Sequence, residues 1–306
     1  MTPRAAEGTA PCRVDLAGGA PGAVTVTVAI DRRAWCRVET GVSGVLLESR
    51  DTLRKASGRD LAEVIEKGTL EPVARILRAL GVETGLRVVT QSRVPEGSGL
   101  GEGVALGAAV AGAVARALGR ETSPEEIGRV ACEAQRPGGE GPGGLPEGLT
   151  AVHGGTLALH PDDGGVRVED LAVDPARIEE SLLLVEGTRS VAGRGDPSVI
   201  RDVALRLSRA LLADRFDELV SLWAEEWESR RGPGWPSAES ERIAEIVRGA
   251  GGGARVCGAG EGGILAVWAP PGARGPGRRE AVVAAARAAG LRLFPARVDL
   301  RGLEVE

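Results

Sequence analysis

Residues 94–119, VPEGSGLGEGVALGAAVAGAVARALG, decide how the rest of the chain is read. The stretch opens as a turn punctuated by Pro95, Gly97, Gly99 and Gly101, then runs into a segment where only Arg116 is charged between Val104 and Leu118. A helix apolar on nearly every face belongs inside a protein, covered by other elements. At about 15 residues it is too short to cross a ~30 Å hydrocarbon layer. It therefore reads as a buried central helix over 102–118. The glycines at its entrance leave backbone N–H groups open to an anion, so the loop is either a phosphate cradle or a plain turn before a core helix. It is not a Walker A loop, because Glu102 follows Gly101 where Lys and Ser or Thr are needed. The second glycine cluster, GAGEGG (258–263), has dinucleotide-fingerprint spacing but leads into a strand-like ILAVWAP rather than a helix.

A chain of 306 residues can bury a large core and hold two domains, read here as 1–174 and 175–306 from a composition shift near residue 175. A net charge of −5 argues against nucleic acid or an anionic membrane surface as partner. Cys12, Cys36, Cys132 and Cys257 are scattered, and His153 and His160 are the only histidines, so reduced core thiols are expected and a Cys/His metal site is not. The sequence shows no signal peptide, lipidation motif or long apolar span, which leads to the expectation of a cytoplasmic protein.

Outward from the central stretch, residues 1–10 read as an irregular start. Strands are expected at 12–18, 24–30, 35–40, 44–48 and 86–92, with helices at 61–67 and 72–80. Ser123-Pro124-Glu125-Glu126 gives a cap, a first-turn proline and first-turn acids for a helix ending near Gln135. RPGGEGPGGLPEG (136–148) is too poor in apolar residues for a core and reads as a surface or ligand-covering loop. A hairpin follows at 156–169. The second half predicts a strand at 181–187, helices at 197–213, 214–230 and 237–249, strands at 254–258 and 263–268, a helix at 278–289 and a strand at 292–298. Trp223 and Trp227, one helical turn apart, read as core residues.

The order PEGSGLGEGVA (95–105) resembles the second motif of the GHMP kinases, a family of small-molecule kinases that includes galactokinase, homoserine kinase and mevalonate kinase. In the family pattern P-x-x-S-G-L-G-S-S-x-A, this chain matches at Pro95, Ser98, Gly99, Leu100, Gly101 and Ala105, with Glu102 and Gly103 in place of the two serines. PCRVDLAGG (11–19) resembles the family's first motif, most closely that of the branch acting on heptose 7-phosphates. RVCGAGEGG (255–263) is similar to the third motif, with Arg255 for the usual Lys and Glu261 inside the loop. TRSVA (188–192) and LWAEEWESRR (222–231) resemble further segments of that branch.

This resemblance implies an α+β, two-domain GHMP-kinase-like fold, with a ribosomal-protein-S5-like N-terminal domain and a ferredoxin-like C-terminal domain. It implies ATP-dependent phosphorylation of an alcohol group on a sugar or sugar phosphate, with Mg²⁺ as the second cofactor, and a homodimer as a conceivable assembly. Pro95, Gly97, Ser98, Gly99, Leu100, Gly101 and Gly103 become the expected nucleotide loop. Gly18, Gly19, Arg13, Arg189, Gly258, Ala259 and Gly260 become the expected substrate side. Arg13 and Arg189 suit a phosphorylated or carboxylated ligand through their planar forks. Glu147, counted back from His153-Gly154-Gly155, stands where the family has a catalytic Asp, its carboxylate about 1.5 Å further out. Glu102 is the point of decision. It either holds the metal, turns to solvent, or repels a triphosphate by several kcal/mol at an effective dielectric near 20. A catalytically inactive family member that binds a metabolite or a protein is therefore the alternative function, and a purely structural subunit a third.

Overall fold

The computed structural model describes residues 4–19, 22–135, 145–162, 165–258, 260–271 and 277–306. Its first part runs β1 (Ala5–Ala17), β2 (Thr25–Thr40), β3 (Val45–Ser49), β4 (Lys55–Gly58), α1 (Leu61–Glu66), α2 (Glu71–Ala79), β5 (Leu86–Ser92), α3 (Glu102–Leu118), α4 (Pro124–Glu133), α5 (Leu145–His153), β6 (Thr156–Asp162) and β7 (Gly165–Asp170). The second continues with α6 (Pro175–Ser181), β8 (Leu182–Glu186), α7 (Pro197–Leu212), α8 (Glu218–Arg230), α9 (Ala238–Gly249), β9 (Gly253–Val256), β10 (Ile264–Trp268), α10 (Arg278–Ala288), β11 (Leu293–Pro295) and β12 (Glu304–Val305).

This is the two-domain α+β architecture. The first sheet has the order β12-β1-β2-β5-β3-β4, with β6 and β7 added beside β2. It is mixed, since β3 and β5 are parallel and the other pairs antiparallel. β2 serves two partners in turn, β6 along Thr25–Val28 and β5 along Ala34–Thr40. The second sheet, β11-β8-β10-β9, is wholly antiparallel. Beyond β11 the chain returns to the first sheet, where Val298 bridges Ile30 and β12 pairs with Gly8 and Thr9.

The central helix α3 spans the expected residues and is buried along nearly its whole length. Its small residues allow backbone-to-backbone approach. A Cβ on Gly8 of β1 would collide with the Ala109 carbonyl, and one on Gly112 would lie 2.9 Å from Val305. α3 thus lies directly on β1 and β2, which fixes where its N-terminus opens. A second core joins the sheets, with Val14, Leu16 and Val26 meeting Leu184, Ala266, Trp223 and Trp268. Trp223 and Trp227 are core residues, as expected.

Five sequence expectations need correction. Residues 5–10 belong to β1, and their alternation was hidden because the inward positions are Ala6, Gly8 and Ala10. β2 is one long strand instead of two. β4 was missed altogether. Residues 145–148 are no loop but the first turn of α5, held where Gly148 packs against the Gly128 backbone. There packing overrides the weak helix preference of a Gly- and Pro-rich sequence. Asp174 caps α6 ahead of Pro175, a start signal that the reading passed over. The remainder of the 136–148 loop, residues 136–144, lies outside the described residues.

Candidate active site

The 94–101 loop reaches α3 through three left-handed glycines, with φ of +79° at Gly97, +84° at Gly99 and +71° at Gly101. Gly99 is also a point of contact. A Cβ there would lie 2.7 Å from the Cys257 carbonyl oxygen and 2.9 Å from Gly262 Cα. The two glycine loops are therefore one surface. Gly263 N–H donates to the Gly97 carbonyl at 3.0 Å, and Ile264 N–H donates to the Ser98 carbonyl at 3.1 Å.

Glu102, the first residue of α3, does not turn to solvent. Its carboxylate folds back over its own loop, where Gly97 N–H donates to one oxygen at 2.7 Å and the Ser98 hydroxyl to the other at 2.9 Å. The Ser98 hydroxyl oxygen in turn accepts from Leu100 N–H at 3.2 Å. A carboxylate at a helix N-terminus meets the positive end of the helix dipole, and hydrogen bonds to a charged group contribute about 1.5–3 kcal/mol each. The donors that an incoming phosphate would use at this corner are already engaged by a side chain of this chain.

Gly103 leaves room for Gln135 from the end of α4. The Gln135 amide fills the space a Cβ at 103 would take and donates to the Gly103 carbonyl at 2.9 Å. Below the loop, Arg13 of β1 is 5% exposed. Its Nε binds Asp15 at 2.9 Å, one terminal nitrogen meets Glu147 at 3.1 Å, and the other lies against Gly101. Burial alone would lower the Arg13 pKa, but the charges of Asp15 and Glu147 outweigh it and raise it above the ordinary arginine value. Burial, with the Glu102 charge second, pushes the Cys12 thiol up to about 12. Glu147 sits in the first turn of α5, partly exposed, and its carboxylate is bound to Arg13.

Arg189 follows β8 and is exposed. Its guanidinium reaches over Gly97, and its side chain also touches Gly263, so it straddles the seam between the loops. It forms no ion pair among the described residues. Gly18 follows β1, with its carbonyl turned to Arg230 and Arg255. Gly19 lies beside Arg230, Gly258 faces Gly99, and the Gly260 carbonyl accepts from the Trp235 indole at 2.6 Å. Pro95 is exposed at the mouth of the loop and Leu100 is buried beneath it. Ala259 lies outside the described residues. Arg255 does not point at a ligand space but is buried against Glu226 and the carbonyls of Asp15 and Gly18.

A cavity of about 430 Å³ opens beside the loop, lined by Glu102, Gly103, Leu106, Gln135, Asp51 and Arg54 among others. Among the described residues no group of three or more His, Cys, Asp and Glu could hold a metal ion. Glu102 and Gly103 do not suit Mg²⁺ either. Both Glu102 oxygens are engaged by donors, and Gly103 offers no side-chain ligand.

Sequence reading missed Asp15, Gln135, Glu226 and Arg230. Arg13 and Asp15 stand two apart on one strand face, and Glu226 and Arg230 four apart on a helix, so pairing rules carried a usable signal. The Gln135 contact had none, because it depends on how α4 returns to α3.

Residues 67–155 match the sequence profile described as the GHMP kinases N terminal domain. That stretch belongs to the GHMP kinase N-terminal domain family. Among solved structures it is similar to a D-glycero-D-manno-heptose 1-phosphate kinase from Bacteriodes thetaiotaomicron, with a TM-score of 0.79 and 20% identity over 98% of each chain. A putative sugar kinase from Campylobacter jejuni matches at TM-score 0.74 and 20% identity, covering 99% of this chain and 98% of that one. Lactococcus lactis galactokinase, complexed with galactose, matches at 0.74 and 14% identity over 99% and 95%. No curated protein matches the sequence. These likenesses establish the GHMP fold. No described helix is long and apolar enough to cross a membrane.

Proposed function

We propose that this chain is a GHMP-fold protein that binds a small metabolite beside its two glycine loops and no longer transfers phosphate. One observation carries the reading: the Glu102 carboxylate takes the Gly97 and Ser98 donors of the phosphate loop. Phosphoryl transfer depends on charge neutralisation at the phosphates and on a group that receives the acceptor proton. Here the loop presents a negative charge, the metal ligands are poor, and the carboxylate at the expected base position is bound to Arg13. A phosphate charge about 4 Å from Glu102 would meet a repulsion on the order of 4 kcal/mol at an effective dielectric near 20. The ligand would enter on the side of Gly18, Gly19 and Arg189, where an exposed guanidinium suits a carboxylate or phosphate ester.

A second reading has its own support. The two glycine loops keep their mutual hydrogen bonds, and that frame suits an ATP-dependent sugar-type kinase. In that reading Glu102 swings outward to a Mg²⁺ ion, and Glu147 leaves Arg13 to act as base. Calorimetric titration of the wild-type protein with ATP, with and without Mg²⁺, and a transfer assay on galactose and heptose phosphates separate the two. The silenced reading expects neither heat at millimolar ATP nor product. Mg²⁺-dependent binding with turnover would replace it by the kinase reading.

A further inference from the structure

Glu226 lies on α8, away from the phosphate loop, and is 1% exposed. Its carboxylate binds Arg230 at 2.7 Å and Arg255 at 3.1 Å, and both arginines are buried. Two guanidiniums around one carboxylate leave several N–H groups to satisfy, and a buried charge is tolerated only when fully paired. Other donors of the two arginines go to backbone carbonyls beside the candidate site. Arg255 donates to Asp15 O at 2.8 Å and Gly18 O at 3.1 Å. Arg230 donates to Gly18 O at 2.8 Å and Gly193 O at 2.5 Å. Gly18 directly follows the first strand of one domain, and Gly193 lies on the loop after β8 of the other.

The contact is reinforced from the next turn of chain. The Trp235 ring packs on Gly193, where a Cβ would lie 2.7 Å from the ring, and its indole N–H holds Gly260 O at 2.6 Å. The loops at 18–19, 193–195 and 258–263 are thus gripped by their carbonyls from α8 and the turn after it.

We infer that Glu226 is a positioning residue: by orienting Arg230 and Arg255 it sets the spacing of the loops around the candidate site and pins one domain to the other. The inference goes beyond the function proposed above, since it holds whether or not phosphate is transferred. It concerns no ligand contact; Glu226 acts only through the two arginines. A charge at this position with two rigid forks has a geometric logic that a lysine would lack, because an ammonium cannot bridge two carbonyls and a carboxylate in one plane.

Hydrogen–deuterium exchange on the intact chain tests this. In Glu226→Gln the carboxylate is lost, and the exchange of amides 16–19 and 193–196 should accelerate at least tenfold more than that of α3, whose own rise reads the overall loss of stability. Should that variant fail to fold, Arg255→Lys supplies the readout. It should loosen 15–19, whose carbonyls Arg255 holds, and spare 193–196, which Arg230 holds. Glu228→Gln, which disturbs only the exposed pair with Arg231, is the control and should change neither. A uniform rise across both sheets in Glu226→Gln, or loosening of 193–196 as large as that of 15–19 in Arg255→Lys, would reduce Glu226 to a general stabiliser and overturn the inference.

Discussion

Two glutamates, Glu102 on α3 and Glu226 on α8, do opposite things. Glu102 is half-buried and held by neutral donors, one backbone N–H and one hydroxyl. Glu226 is sealed and held by two guanidiniums. Burial alone would raise the Glu226 pKa, but the charges of Arg255 and Arg230, aided by their hydrogen bonds, hold it below the ordinary glutamate value. A carboxylate on neutral donors can be exchanged for another anion or for water at modest cost. One that neutralises two buried cations cannot. The difference separates a residue that decides what binds from one that decides whether the loops around the site keep their places.

The largest effect expected from this contrast is on stability. Glu226→Gln leaves Arg230 and Arg255 buried without their counter-charge and should cost about 3–5 kcal/mol in urea unfolding. A loss under about 1 kcal/mol would show that the two glutamates are not different in kind.

The next concerns pH. A carboxylate whose native pKa is lowered stabilises the fold above its unfolded value of about 4.3, and that stability is lost as pH falls through the lower native value. Wild-type melting temperature should therefore drop as pH falls below about 4.3. Glu226→Gln should lack that part of the slope. Parallel slopes for the two proteins would assign acid sensitivity to other carboxylates.

Glu102→Ser should act on the opposite axis, with a smaller stability loss of about 1.5–3 kcal/mol, since it gives up hydrogen bonds to a charged group but leaves no buried charge unpaired. A loss comparable to that of Glu226→Gln would erase the contrast. The smallest effect is expected for Gly103→Ser. Gln135 must shift its flexible end, helix propensity improves by a few tenths of a kcal/mol, and nucleotide binding should remain undetectable because Glu102 is still in place. Binding gained by this change alone would mean that a missing metal ligand, and not the Glu102 charge, silences the loop.

Much of the fold was legible because its signals are local. The 102–118 helix declared itself by a run with one charge, and Ser123-Pro124 marked the start of α4. β1 was half hidden because small residues at 6, 8 and 10 carry little hydropathy, although smallness is what lets α3 lie on the strand. The site was legible in outline only. The glycine frames could be read, and so could the oddity of Glu102, but the direction of its side chain could not. That direction is set by a left-handed Gly101, which turns the first residue of α3 back over Gly97 and Ser98. The Glu226 cluster was legible only in part: the i,i+4 spacing of Glu226 and Arg230 could be read, but Arg255 lies on another element, and the carbonyls that the arginines hold carry no mark in the sequence.

The most direct test of the central claim, that Glu102 occupies the phosphate loop in place of a ligand, is nucleotide affinity in wild type and Glu102→Ser at fixed Mg²⁺. Removing the charge should free the Gly97 and Ser98 donors and strengthen binding at least tenfold, about 1.4 kcal/mol, well under the repulsion estimated above. Tighter binding by the wild type, lost in Glu102→Ser, would show instead that Glu102 holds the metal of a working kinase, and would contradict the account.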